Sequence, residues 1–162
     1  MAIIKVPNVP LIAQPTDGVC WFACAQMVYK WCKATGNGSM TNPESHAPSK
    51  KRYDDNLDWN SAQNGLLASY FNMKTHSSVS MDLSGLTAFF QKNGPIWTAG
   101  QKTWGGNNHG HVIVIAGVAD TGVFILDPEP VGYGSSQWLT WDQIKKFIDG
   151  ATKADYKFLT AA

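Results

Sequence analysis

The sequence predicts an α+β fold, with N-terminal helices packed on a C-terminal antiparallel sheet. Three observations carry this. Between residues 20 and 33, Cys20, Cys24, Met27, Val28 and Trp31 recur at helical spacing. Residues 111–118 (HVIVIAGV) are a β-branched run of strand length, and 123–127 follows across Asp120-Thr121-Gly122 as the second arm of a hairpin. Helical segments come first and strands after. In that order helices cover an antiparallel sheet instead of alternating with parallel strands.

Residues 1–13 carry apolar side chains broken by Pro7 and Pro10, which suits an extended edge segment. The turn cluster Gln14-Pro15-Thr16-Asp17-Gly18 leads into the first helix, and Gly36 and Gly38 end it. That helix is apolar around most of its circumference, so it is expected to be central and buried. Residues 34–60 are polar and show no period; they read as a loop without regular structure, mobile or functional. Residues 61–71 and 83–92 read as helices, the second closed by Asn93-Gly94-Pro95. Residues 96–99 read as a strand, 104–110 as a glycine-rich turn and 156–160 as a last strand. Thr140-Trp141-Asp142-Gln143 is a capping-box pattern opening a short helix through Ile148.

The chain has 162 residues, 44% apolar and 15% charged, which is one globular domain's worth of core. Its formal net charge of +1 gives no reason to expect nucleic acid or a membrane surface as partner. The cluster Lys50-Lys51-Arg52 is followed by Asp54 and Asp55 and reads as a solvated loop. No apolar run is long enough to span a membrane, and the first residues lack the basic and apolar regions of a cleaved signal. The expected location is cytoplasmic, or secreted by a route without a cleaved signal peptide. Neither phosphate-binding glycine motif occurs, so no nucleotide cofactor is expected.

Three cysteines, Cys20, Cys24 and Cys32, make an odd number, which argues against a disulfide framework. Cys20 and Cys24 stand one helical turn apart, with Cβ atoms about 5–6 Å from each other. A disulfide wants about 3.5–4.5 Å, so a bridge would distort the helix. The spacing also fails the pattern of a zinc finger or ribbon.

Free thiols become nucleophiles where the thiolate is favoured, as at a helix N-terminus or beside an imidazolium. Cys20 opens its helix; Cys24 and Cys32 lie deeper and read as small buried hydrophobes. His46 and His76 lie in polar stretches and read as solvated. His109 sits in the glycine-rich turn, whereas His111 opens the buried strand, a rigid place for a base, and is preferred. Asp127 ends the paired strand at the same end of the hairpin and could orient the imidazole through its second nitrogen. An oxyanion site needs donors; the Cys20 N–H is one and Gln14, six residues earlier, could present the other.

The segment Gln14-Pro15-Thr16-Asp17-Gly18-Val19-Cys20-Trp21 resembles the nucleophile segment of bacterial papain-like cysteine peptidases. It is most similar to the avirulence-effector proteases of plant pathogens and more distantly to bacteriocin-leader-processing peptidases. Gly94-Pro95-Ile96-Trp97, residues 110–118 and Asp127-Pro128-Glu129-Pro130-Val131-Gly132 look like later motifs of that family, in order. The resemblance implies a papain-like fold and a thiol protease needing no cofactor or metal. It implies Cys20 as nucleophile, His111 as base, Asp127 as orienter and Gln14 at the oxyanion. It also implies a protein or peptide substrate. For a delivered effector or toxin, a host target or an immunity protein would be a partner. Two residues depart from the pattern: Cys24 stands where small residues are usual, and Glu129 where an aromatic is often found. The same machinery suits an acyltransferase or a peptidoglycan amidase, and a non-catalytic binding module could share the fold. The 34–60 loop and the glycine-rich turn are the expected substrate contacts.

Overall fold

The hairpin read at residues 111–127 is the centre of the molecule. The computed structural model describes residues 3–162. In it, β1 (Ile3–Lys5) precedes α1 (Cys20–Thr35), α2 (Ala47–Asp54), α3 (Asn64–Phe71), β2 (Met73–His76) and α4 (Leu83–Asn93). Then come β3 (Ile96–Lys102), β4 (His109–Ala119), β5 (Gly122–Asp127), β6 (Ser135–Thr140), α5 (Trp141–Asp149) and β7 (Phe158–Ala161). The strands form one antiparallel sheet in the order β2-β7-β3-β4-β5-β6, and β1 adds to β4 at Gly117–Ala119. This is the α+β layout, helices packed on an antiparallel sheet, that the residue pattern predicts.

β4 reads as an unbroken apolar run because both faces of the sheet are covered. Val112, Val114 and Ala116 face the core built by α1 and α3, with Trp21, Met27, Trp31, Leu67 and Phe71. Ile113 and Ile115 face the second core, where α4 and α5 bring Leu86, Phe90, Ile144 and Phe147. The capping box at Thr140 and Gln143 forms as read and opens α5. Gly36 ends α1 in the left-handed region, at φ 69°, where a Cβ would be strained.

Gly100 of β3 is the Cα partner of His111, and it lets α5 close onto the sheet. A Cβ there would collide with the ring and the carbonyl oxygen of Phe147. Gly100→Ala is therefore expected to cost about 1–3 kcal/mol through overpacking, read as a lowered denaturant midpoint with unchanged slope.

Three expectations need correction. The 34–60 segment is structured, with a 3-10 turn at Pro43–Ser45 followed by α2. α2 buries little of itself, so no apolar period announces it. Local chemistry holds it instead: His46 Nδ1 accepts from Ser49 N–H, and Lys50–Asp54 and Lys51–Asp55 pair one turn apart. Tyr53 packs on Phe22, with ring centroids 4.3 Å apart. His46 and His76 are also not free in solvent. His46 stacks on Tyr70 at 4.1 Å, and His76 Nε2 lies 2.8 Å from Thr160 Oγ1 across the β2–β7 pair. Burial, with Lys74 and Lys92 nearby, holds His76 below its usual pKa. β2 and β6 are the third correction. These short edge strands, MKTH and SSQWLT, lack the β-branched run that marks β4.

Candidate active site

Cys20 is the first residue of α1, and the geometry around it follows from sheet register. The helix's first bonds run from Phe22 and Ala23 N–H to Val19 O, at 3.2 and 3.1 Å. The N–H groups of Cys20 and Trp21 precede these bonds and lie at the positive end of the helix dipole. Trp21 fixes the approach turn. Its Nε1 donates to Gly18 O at 3.1 Å and to Leu57 O at 3.0 Å. Gly18 N–H donates to Asn56 Oδ1 at 2.8 Å, and Asn56 Nδ2 to Asp17 Oδ1 at 2.8 Å. Residues 56–58, read as part of a loop, thus brace the turn before Cys20.

Val112 supplies the contact with the strand. Ala99, its partner on β3, donates its N–H to Lys157 O at 3.1 Å, away from β4. Val112 therefore turns its own N–H and C=O away from β3. On that side β5 pairs with β4 only from Val114 onward. The freed groups meet α1: the Val112 N–H favours charge on the Cys20 sulfur, and Cys24 Sγ donates to Val112 O at 3.3 Å. Cys24 is thus a buried helix-to-strand tether, which accounts for a thiol where a small residue would do.

His111 precedes Val112, and its ring is buried. Its Nε2 lies 2.7 Å from Asp127 Oδ1, with side chains 1% and 0% exposed. The Glu129 N–H donates to the same oxygen at 2.9 Å. This leaves Nδ1 as the ring nitrogen free for chemistry. His109 has a side chain 40% exposed and lies 3.3 Å from Glu129 Oε1, so the structure puts His111, rather than His109, on Asp127.

Burial pushes the Cys20 thiol up to about 12. The Val112 hydrogen bond pulls against this, the Asp58 and Glu129 carboxylates add to it, and the Trp21 N–H opposes it. A thiolate at neutral pH therefore requires an adjacent cation. Cys24 and Cys32 are also raised by burial, Cys32 to about 11. Burial raises the Asp127 carboxyl, but His111, Lys102 and the Glu129 N–H outweigh it and hold the group below the ordinary carboxylate range.

Gln14 lies beside this group but faces elsewhere. It is fully buried, and its Nε2 donates to Thr16 O at 2.9 Å and Asp17 O at 3.0 Å. Both amide hydrogens are engaged. Its backbone bonds Pro128 O and the Gly132 N–H, which ties the approach segment to the Asp127 loop.

Cys20 and His111 open onto a cleft of about 860 Å³. One wall is Asp17, Asn56, Asp58 and Trp59; another is Gln101, Asn107, His109 and Glu129. Both segments expected to touch substrate therefore line it. Sequence reasoning missed Lys102, which is 5% exposed and lies 2.9 Å from Asp127 Oδ2 and 3.1 Å from Glu129 Oε1. A lysine ending a strand carries no signal of burial. Among the described residues, no helix is long and apolar enough to cross a membrane.

Comparison with curated proteins finds no match. The family model for the papain-like cysteine protease AvrRpt2, Peptidase C70, matches residues 4–141. That span holds Gln14, Cys20, Lys102, His111, Asp127 and Glu129; β7 lies beyond it yet sits inside the sheet, between β2 and β3. A helix-borne cysteine sharing a cleft with a histidine buried against an aspartate, within a match over most of the chain, leads to one conclusion: this protein belongs to the papain-like cysteine protease family of AvrRpt2.

Proposed function

We propose that the chain hydrolyses a peptide or amide bond through a thioester on Cys20. The observation that carries this is the buried 2.7 Å His111–Asp127 pair, whose histidine lines the same cleft as Cys20 at the start of α1. In the ion pair, His111 carries protons on both nitrogens and Cys20 is a thiolate. The sulfur attacks the carbonyl carbon, and the negative oxygen is held by N–H donors at the start of α1. The Nδ1 proton passes to the departing amine as the C–N bond breaks. A water then gives a proton to Nδ1 and attacks the thioester. The acid leaves and the sulfur regains its thiolate form as Nδ1 holds that proton. For Gln14 to act as the second oxyanion donor, one of its bonds to Thr16 or Asp17 must be exchanged for the substrate oxygen. No metal or cofactor enters these steps.

Within this reading the substrate is a protein or peptide. The chain acts as an effector or toxin delivered to another cell, with a host target or an immunity protein as partner; membership of the AvrRpt2 family supports it.

The test is site-resolved thiol labelling at pH 7. Cys20 should react at least tens of times faster than Cys24 or Cys32, whose thiols burial keeps protonated. Equal, slow labelling of all three would sink the reading.

A further inference from the structure

We propose that Lys102 is a positioning residue of this site: its buried ammonium locks Asp127 and Glu129 and balances the charge facing the Cys20–His111 pair. The inference rests on the peptidase reading above.

Register brings these groups together. Lys102 pairs with His109 and Gly100 with His111, so Lys102 and both histidines share one face of the sheet. Gly100 has no side chain to separate them. From the loop after β5, Asp127 and Glu129 reach the same place. Lys102 Nζ lies 2.9 Å from Asp127 Oδ2 and 3.1 Å from Glu129 Oε1. Glu129 Oε1 in turn lies 3.4 Å from His111 Nε2 and 3.3 Å from His109 Nε2. Asp127 thus sets one oxygen against the base and the other against the Lys102 ammonium.

Stability gives little reason for such a cluster. A buried ion network is commonly matched or bettered by apolar residues of the same volume. Its effect on the reacting pair is direct. His111 lies against Asp127 and Glu129, the Glu129 carboxylate also acts on Cys20, and His109 stands beside Glu129. Asp58, Asp17 and Lys153 stand in the cleft wall, and Cys24 stays protonated behind. With Lys102 present, the two carboxylates are half neutralised. Without it, a second full negative charge opposes the thiolate and holds the imidazolium proton that the leaving amine needs. The side chains of His109, His111 and Glu129 converge, with one polar atom of each within 4.8 Å of the others. Lys102 is the cation already seated on that carboxylate.

The experiment is the pH dependence of Cys20 alkylation by iodoacetamide in the full chain, which reads the thiolate without any substrate. Lys102→Met is expected to move the midpoint up by about one pH unit, and so slow alkylation about tenfold below it. Glu129→Gln is expected to move it down, and the double variant to return it toward the parent value. A folded Lys102→Met protein with an unmoved midpoint overturns the proposal, even if turnover falls, since a merely structural role lowers activity without shifting the profile. If Lys102→Met fails to fold, Glu129→Gln decides, because it leaves Lys102 paired with Asp127. A lowered midpoint supports the proposal, and an unchanged or raised one overturns it. An unmoved variant beside a fast-reacting parent Cys20 sinks this inference alone. A parent Cys20 no faster than Cys24 and Cys32 sinks the peptidase reading with it.

Discussion

Cys20→Ala should abolish cleavage, lowering kcat on the order of 10⁵- to 10⁶-fold, the scale at which loss of one member collapses a hydrolytic triad. His111→Ala should cost about as much, because the two groups act as one unit and their losses do not add. The physical ground lies in the thiol itself. Burial and two nearby carboxylates push Cys20 up to about 12, while two backbone N–H groups only partly oppose them. At neutral pH the sulfur is a nucleophile only as half of an ion pair. His111→Ala should therefore also slow Cys20 alkylation at pH 7 by at least about 100-fold, toward the rates of Cys24 and Cys32. Turnover of a fluorogenic peptide or an unfolded protein reads the first effect, and mass-resolved labelling the second. Any toxicity to a recipient cell should vanish with Cys20→Ala. Circular dichroism should be unchanged, since Cys20 lies at the cleft and only borders the core.

Asp127→Asn is expected to lower kcat by about 10³- to 10⁴-fold, the range seen when an orienting carboxylate is lost. The reason is specific to this site. Asp127 Oδ1 accepts from His111 Nε2 and from Glu129 N–H, and Oδ2 faces the Lys102 ammonium. An asparagine has one oxygen for these two places. If its oxygen stays with His111, its NH₂ is set against the ammonium. If its oxygen turns to Lys102, its NH₂ donates to His111 Nε2, which drives the ring proton to Nδ1 and removes the lone pair the thiol needs. Either way Lys102 loses one of its two carboxylate partners and keeps Glu129, so stability should fall by about 1–3 kcal/mol. Denaturant melts and kcat measured on the folded fraction separate the two effects. An Asp127→Asn enzyme within tenfold of the parent rate would mean that Asp127 does not orient the base. In the parent protein the Asp127 carboxyl is depressed, so its contribution to stability is complete above the ordinary carboxylate range. That contribution is lost as pH falls through the lower folded value.

The readings that needed only local spacing match the structure element by element. The start of α1 at Cys20, the stop at Gly36, the capping box at Thr140 and the β4–β5 hairpin are all written within a few residues of where they act. So is the burial of His111 beside a half-exposed His109, because a β-branched run beginning at His111 already says which of the two is held in the buried part of the strand. α2 escaped because its stability comes from a cap, charge pairs one turn apart and a stacked ring, none of which makes an apolar period.

Periodicity along the chain was enough to say which thiol opens a helix, which histidine opens the central strand and which carboxylate stands at the same end of the hairpin. Each of those properties is set by residues a few positions apart. Folding in three dimensions added what they could not carry. Lys102 and Glu129 join His111 and Asp127, Val112 turns a free N–H to Cys20, and Gln14 spends its amide on Thr16 and Asp17. These arrangements depend on cross-strand register, on where β5 parts from β4, or on a side-chain rotamer, and no spacing within one segment encodes such pairings.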